Sequence, residues 1–211
     1  MKKENNYTNN TEIIIHPKLQ HFGLVTANLD TMLDWYHKVL GMTVNNSSKV
    51  PAEIQGRMPF SATAFISNDE VHHRMALFEV SGIVNNPDKS KHTRVQHIAF
   101  DYETLDDLLN TYARLKNLGI LPVMAMDEAV NTSFYYLDPD QNLIELNINN
   151  YDSEWTGTEA IRTLHAGVRS EVDPDKMIEV RKEGVSPWEI HERAVKGDFT
   201  PAKTFNPGRN F

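Results

Sequence analysis

His21–Asp30, H-F-G-L-V-T-A-N-L-D, is answered later in the chain by His97–Asp106, H-I-A-F-D-Y-E-T-L-D. Each stretch opens on a histidine, runs through a short apolar segment and ends in polar residues able to cap a helix. A repeated supersecondary unit decides the fold, because one copy is too small to bury its own sheet face and two copies pair to do so. The same nitrogen donor at the same point of both repeats predicts one metal site between them. The third donor is Glu145, near the end of the second repeat in Y-L-D-P-D-Q-N-L-I-E-L-N. Two histidines and a carboxylate suit non-haem Fe(II), since they hold one face of the ion and leave the other open; Mn(II) is the alternative.

Outward from the first stretch, Phe22 to Ala27 reads as a strand, and Asn28 or Asp30 caps a helix with Leu33, Tyr36 and Leu40 on one face. Gly41 is its left-handed stop. Met42 to Val44 resumes as strand, the polar segment Asn45 to Pro59 is a loop, and Ala62 to Ser67 and His72 to Val80 are strands separated by Asn68-Asp69. The second pass gives strand Gln96 to Tyr102, helix Thr104 to Leu118 stopped at Gly119, and strands Ile120 to Met126, Thr132 to Leu137 and Leu143 to Ile148. The expected class is α+β. Two βαβββ modules form one curved, open-barrel-like sheet around the metal, followed by a C-terminal helical extension. The divisions are a polar lead 1–19, modules 20–93 and 94–150, and the extension and tail 151–211. Within the extension, Asp175 to Glu183 and Pro187 to Val195 are the helix candidates, and Trp188 and Ile190 pack it against the core. Pro201 to Phe211 carries no period and is a loose tail or a clasp onto a partner.

Composition narrows the chemistry. The 211 residues suffice for one substantial domain or two small modules, with about 70% of the unfolded surface buried at this size. There is no cysteine, so disulfides, thiolate metal sites and cysteine nucleophiles are excluded and a metal must take nitrogen and oxygen donors. Lys plus Arg is 21 against Asp plus Glu 29, a net charge of -8 whose field opposes binding to nucleic acid. No segment is apolar enough to span a bilayer, nor does the polar opening contain a secretory signal, so no membrane partner and a cytoplasmic location are expected.

Each donor has a plainer reading. His21 and His97 are also explicable as strand histidines satisfied by neighbouring backbone, but their matched positions and a nearby carboxylate favour ligation. Glu145 lies in the apolar run L-I-E-L, where an unpaired inward carboxylate is expensive and a metal explains it better than a solvated edge. His16, His37, His92, His165 and His191 have no comparable placement and read as surface or structural, with His191 the one near enough to Trp188 to reach a pocket rim.

These motifs, H-F-G-L-V-T-A-N-L-D with W-Y-H-K-V-L-G-M, then H-I-A-F-D, then Y-Y-L-D-P-D-Q-N-L-I-E-L, resemble the vicinal oxygen chelate superfamily of glyoxalase I, bleomycin resistance proteins and extradiol ring-cleaving dioxygenases. The resemblance spans Gln20 to Ile148. Two features are most similar to one-domain type I extradiol dioxygenases. V-H-H-R-M-A-L-F is similar to that group's pocket-histidine strand and implies His73 as acid/base, and S-F-Y at Ser133–Tyr135 implies Tyr135 as the hydrogen-bonding group at the substrate oxygen. Adjacent strand residues face opposite ways, so one of His72 and His73 is exposed, and Tyr135 has ordinary packing as its plainer role. The resemblance implies a small aromatic diol and O2 as substrates, Fe(II) as cofactor and a homodimer. Where two-domain relatives carry histidine and acidic residues this chain has Met126 and Ala129, and the usual D-P-D-G-N turn reads D-P-D-Q-N, with strain at Gln141 if its φ is positive. The competing implications are a glyoxalase-I-like isomerase or lyase with Glu79 of A-L-F-E-V as fourth ligand, and a non-catalytic binding protein of the bleomycin resistance kind.

Overall fold

The computed structural model describes residues 16–86, 88–163 and 169–204. The polar lead up to residue 15, His165 and the tail from residue 205 lie outside the described residues.

In the first module the chain runs β1 (Phe22–Thr26), α1 (Leu29–Leu40), β2 (Thr43–Lys49), β3 (Ala62–Ser67) and β4 (Met75–Glu79). Asn28 caps α1 by accepting from Thr31 N–H, and Gly41 stops it at φ 65°, the left-handed conformation glycine takes without steric cost. The second module repeats the order with β5 (Ile98–Asp101), α2 (Leu105–Asn117), β6 (Met124–Asp127), β7 (Asn131–Leu137) and β8 (Leu143–Asn149). Thr104 caps α2 by accepting from Asp107 N–H. The extension adds α3 (Glu154–Thr163), the two-residue β9 (Ser170–Glu171), α4 (Pro174–Lys182) and α5 (Pro187–Val195). Among the described residues, no helix is long and apolar enough to cross a membrane.

The α+β class and the duplicated βαβββ order stand, but the sheet is not continuous. Its strands divide into β1-β4-β3-β2 and β5-β8-β7-β6-β9. The outer strands β1 and β5 meet through side chains instead of backbone hydrogen bonds, with the Phe22 and Phe100 rings 6.4 Å apart across the seam. Two further differences concern strand limits. β2 continues through Lys49 into the expected loop, pairing with β3 across a bulge between Val44 and Asn46. β4 starts at Met75 and not at His72, because Asp69 folds the preceding segment into a turn by accepting from Ser67 Oγ, Val71 N–H and Arg74 Nε.

One core underlies both sheets. Met32, Tyr36 and Val39 of α1 and Leu108, Leu109, Tyr112 and Leu115 of α2 join Ile66, Leu77, Phe134, Tyr136, Ile144 and Leu146 from the strands. Polar contacts lock the modules together. Tyr36 hydroxyl donates to Asp138 Oδ2 at 3.0 Å, and Arg114 of α2 donates to the carbonyls of Lys38 and Val39 at the end of α1, where a cation is favoured. The extension is fastened to α2 by Arg181 with Asp106 and to β6 by the buried pair His191 Nδ1–Asp127 Oδ2 at 2.7 Å.

Candidate metal centre

Alternation along β5, β7 and β8 separates two faces. Phe100, Phe134, Tyr136, Ile144 and Leu146 turn to the helices. Their neighbours turn the other way, and the register aligns Ala99 with Glu145 and Glu145 with Tyr135, while Ser133 pairs with Asn147. The second sheet therefore presents a mostly polar hollow whose apolar floor is Met124 and Leu143 beside Tyr135.

Glu145 is the centre of that hollow and is 4% exposed. Its Oε2 meets His97 Nε2 at 2.9 Å. Its Oε1 accepts from Ser133 Oγ at 2.7 Å and from Asn147 Nδ2 at 3.1 Å, which fixes the carboxylate's rotation and leaves Oε2 to face the imidazole. Two donors each about 2.1 Å from a common divalent ion, at the right angle of six-fold coordination, stand about 3 Å apart. The His97–Glu145 pair fits a nitrogen-and-oxygen metal site on that measure.

Tyr135 borders the pair, its ring edge-on to His97 at 6.0 Å. Burial pushes its phenol upward in pKa, and the Glu145 and Glu128 carboxylates add to the shift, so the hydroxyl keeps its proton. That hydroxyl donates to Glu128 Oε2 at 2.8 Å, and Glu128 Oε1 stands 3.5 Å from Arg169 Nε. Together with His97, Ala99 and Glu145 these residues line a cavity of about 400 Å³, within the range of small-ligand sites. The extension contributes Ile161 and Arg169 to its wall, so it both packs and encloses.

His21 occupies the equivalent position in the first module, immediately before β1, and lies against His73 with ring centroids 4.4 Å apart. His73 also touches His72 and Phe65, at 4.3 and 4.8 Å. Partial desolvation and the neighbouring His21 and His72 lower the His73 pKa. His73 belongs to the turn before β4 and not to a strand, and it sits beside His21. Among the described residues no group of three His, Asp or Glu side chains stands close enough to hold one ion. Thus His97, Glu145 and Tyr135 come together in one half of the chain, and His21 with His73 in the other.

The register also says what the first module lacks. Ala99 aligns with Glu145 in the second sheet, and Gly23, two residues after His21, aligns with Ala76 in the first. The internal counterpart of Glu145 is therefore an alanine. Glu79 stands three residues further along β4, roughly 10 Å from that level. Its carboxylate is already engaged, accepting from Leu29 N–H at the start of α1 and from Ser61 Oγ, both at 3.0 Å.

The model of the Glyoxalase/Bleomycin resistance protein/Dioxygenase superfamily matches residues 18–146. The chain belongs to this superfamily. Within it, the chain is 34% identical over 187 residues to biphenyl-2,3-diol 1,2-dioxygenase 3 of Rhodococcus globerulus, covering 85% of this chain and 90% of that one. It is 36% identical over 137 residues to biphenyl-2,3-diol 1,2-dioxygenase 2 of the same organism, 65% of each protein. A solved glyoxalase/bleomycin resistance protein/dioxygenase domain from Frankia sp. EAN1pec shares the fold, with a TM-score of 0.54 and 16% identity over 64% of this chain and 99% of that domain.

Four residues of the superfamily hollow carried no separate role in the sequence reading. Ser133 and Asn147 were within reach of strand periodicity, each standing two residues from a candidate on the same face. Glu128 depends on a turn conformation, and Arg169 returns to the hollow from outside the repeat. Neither leaves a local signal.

Proposed function

We propose that the protein is a non-haem Fe(II)-dependent extradiol dioxygenase that opens the ring of a catechol-type aromatic with O2, Mn(II) being the alternative ion. The observation that carries this reading is the buried Glu145 carboxylate meeting His97 Nε2 at 2.9 Å in a hollow with an apolar floor. The likeness to two diol dioxygenases, one along nearly its whole length, supports the reaction class. The engagement of Glu79 with α1, and Ala76 in the place of a second carboxylate, count against the four-donor set of an isomerase. They favour a three-donor set with an open face.

His97 and Glu145 hold the ion, with His21 as the third donor. An Fe(II) ion held by these residues would supply open coordination positions for the diol and O2 and redox chemistry between them, which would make their encounter intramolecular. The chain's own residues do the rest. Ser133 and Asn147 keep the Glu145 carboxylate oriented, and Met124 and Leu143 form an apolar floor for the ring. Tyr135 holds a hydrogen bond at a substrate oxygen. His73, beside His21, takes the proton a catechol sheds on binding and returns it later in the cycle.

His21 reaches this set in a homodimer that places the first module of one copy against the second module of the other. The first sheet supports such a partner through its open apolar face, where Phe65 and Phe78 lie alongside Val25, which is 54% exposed.

The test is anaerobic purification, metal analysis and addition of catechol with O2. The native protein is expected to retain iron and yield a yellow ring-opened product. Glu145→Ala is expected to lose iron and turnover together, whereas His73→Ala keeps iron and turns over at least about tenfold more slowly. Full iron retention in both Glu145→Ala and His97→Ala would reject the ligand assignment.

A further inference from the structure

Among the described residues lining the hollow, Glu128 is the one acidic side chain that the metal reading leaves without work. It sits between β6 and β7, where Glu128 N–H donates to the Asn131 carbonyl at 2.8 Å and Val130 N–H donates back to the Glu128 carbonyl at 3.0 Å. The next residue, Ala129, has φ 70°, a left-handed conformation that is costly for any residue with a Cβ. Ala129 is held there by its N–H to Asp127 Oδ1 and by its carbonyl, which accepts from Asn150 Nδ2. Backbone strain of this kind persists where the surroundings over-determine it. Here it turns the Glu128 side chain back over the hollow, where Oε2 meets the Tyr135 hydroxyl.

The direction of that hydrogen bond has a chemical consequence. A phenol has one proton and a carboxylate has none to give, so Tyr135 donates to Glu128. The remaining lone pairs of the Tyr135 oxygen are then the only hydrogen-bonding capacity it can offer a ligand. Ser133, the nearby hydroxyl on the same face, spends its proton on Glu145 Oε1.

We propose that Glu128 is a positioning residue for Tyr135. By accepting the phenol's one hydrogen bond it makes Tyr135 a hydrogen-bond acceptor toward the substrate, selecting the orientation in which a diol hydroxyl that keeps its proton faces Tyr135. This rests on the dioxygenase reading for its substrate, but the polarity of Tyr135 belongs to the protein alone. Arg169 Nε, 3.5 Å from the other Glu128 oxygen, places the extension on the far side of the same relay.

Two measurements on Glu128→Gln, Tyr135→Phe and the double variant decide the matter. The first is the tyrosine Raman doublet of the metal-free protein, which distinguishes a donating from an accepting phenol. The native-minus-Tyr135→Phe difference is expected to show a strong donor, and Glu128→Gln is expected to abolish that signature, since an amide can donate to the phenol instead. The second is steady-state turnover of 2,3-dihydroxybiphenyl by the iron-loaded proteins. Glu128→Gln is expected to lower kcat about tenfold with KM changed less than about threefold, and to cost less than about twofold once Tyr135 is phenylalanine. A native Tyr135 without donor character overturns the proposal, as does a loss in Glu128→Gln that persists undiminished in the Tyr135→Phe background. If the native protein turns over no catechol, the dioxygenase reading fails, while the Raman arm still settles the role of Glu128.

Discussion

Gln141 sits at φ 62° in the turn that joins β7 to β8, a left-handed position that glycine adopts without steric cost. The turn is otherwise well made: Gln141 N–H donates to the Asp138 carbonyl and Asn142 N–H to Asp138 Oδ1. Occupying that region costs a residue with a Cβ about 1–2 kcal/mol, part of which glycine would give back through the greater freedom of its unfolded chain. Gln141→Gly is therefore expected to stabilise the protein by about 0.5–1 kcal/mol, raising Tm by roughly 1–4 °C in a chain of this size. Thermal unfolding monitored by circular dichroism checks this, and a lowered Tm would show that the Gln141 side chain contributes more than its backbone costs. Ala129 adopts the same conformation without such slack, because its position aims Glu128 at Tyr135. The two residues share a backbone state for different reasons, one a tolerated departure in a turn and the other part of the hollow.

At the scale of elements, α5 shows how the extension is held. Ile190 is 1% exposed in the common core, whereas Trp188 on the same helix is 46% exposed and rests on Tyr151 and His191. Ile190→Ala is expected to cost about 2–4 kcal/mol, since it leaves a cavity that packed neighbours cannot refill. Urea unfolding gives the value; a cost below about 1 kcal/mol would mean that the extension is docked mainly by its polar contacts. The helices α1, α2 and α5 were legible in the sequence because each combines a capping side chain with an apolar stripe, as Asn28, Thr104 and Ser186 show. α3 lacked such marks: it carries Thr156, Gly157 and Thr158 in its middle, and Gly157 is explained only by the Asn149 side chain packed where its Cβ would stand. The start of β4 was misplaced because side-chain bonds to Asp69, invisible to periodicity, curl His72 and His73 out of the strand. The site divides the same way. As candidates, His97 could be read from the repeat, Glu145 from its place in an apolar run, Ser133 and Asn147 from alternation, and Glu128 only from a turn whose φ no residue type announces.

The whole molecule poses a question that neither a residue nor an element answers, namely how His21, the proposed third donor, would reach His97 and Glu145. Both histidines immediately precede the first strand of their modules, yet His21 lies against His73 while His97 meets Glu145, and β1 and β5 meet at a seam closed by Phe22 and Phe100 on the helix side. The core shared by α1 and α2, the Tyr36–Asp138 bond and the Arg114 contacts resist a rearrangement that would swing one module across the other. A two-fold dimer avoids that cost, because setting each first module against the other copy's second module creates two equivalent sites at once. Mixing separately inactive variants tests it. In a dimer of one His21→Ala chain and one Glu145→Ala chain, one site combines both defects and the other receives an intact His21 and an intact Glu145. Refolding the two variants together is expected to restore iron binding and catechol turnover in the mixed dimer, at one site of two, while each variant alone stays inactive. If the three donors instead met within a single chain, every chain in the mixture would carry one broken site and mixing would restore nothing.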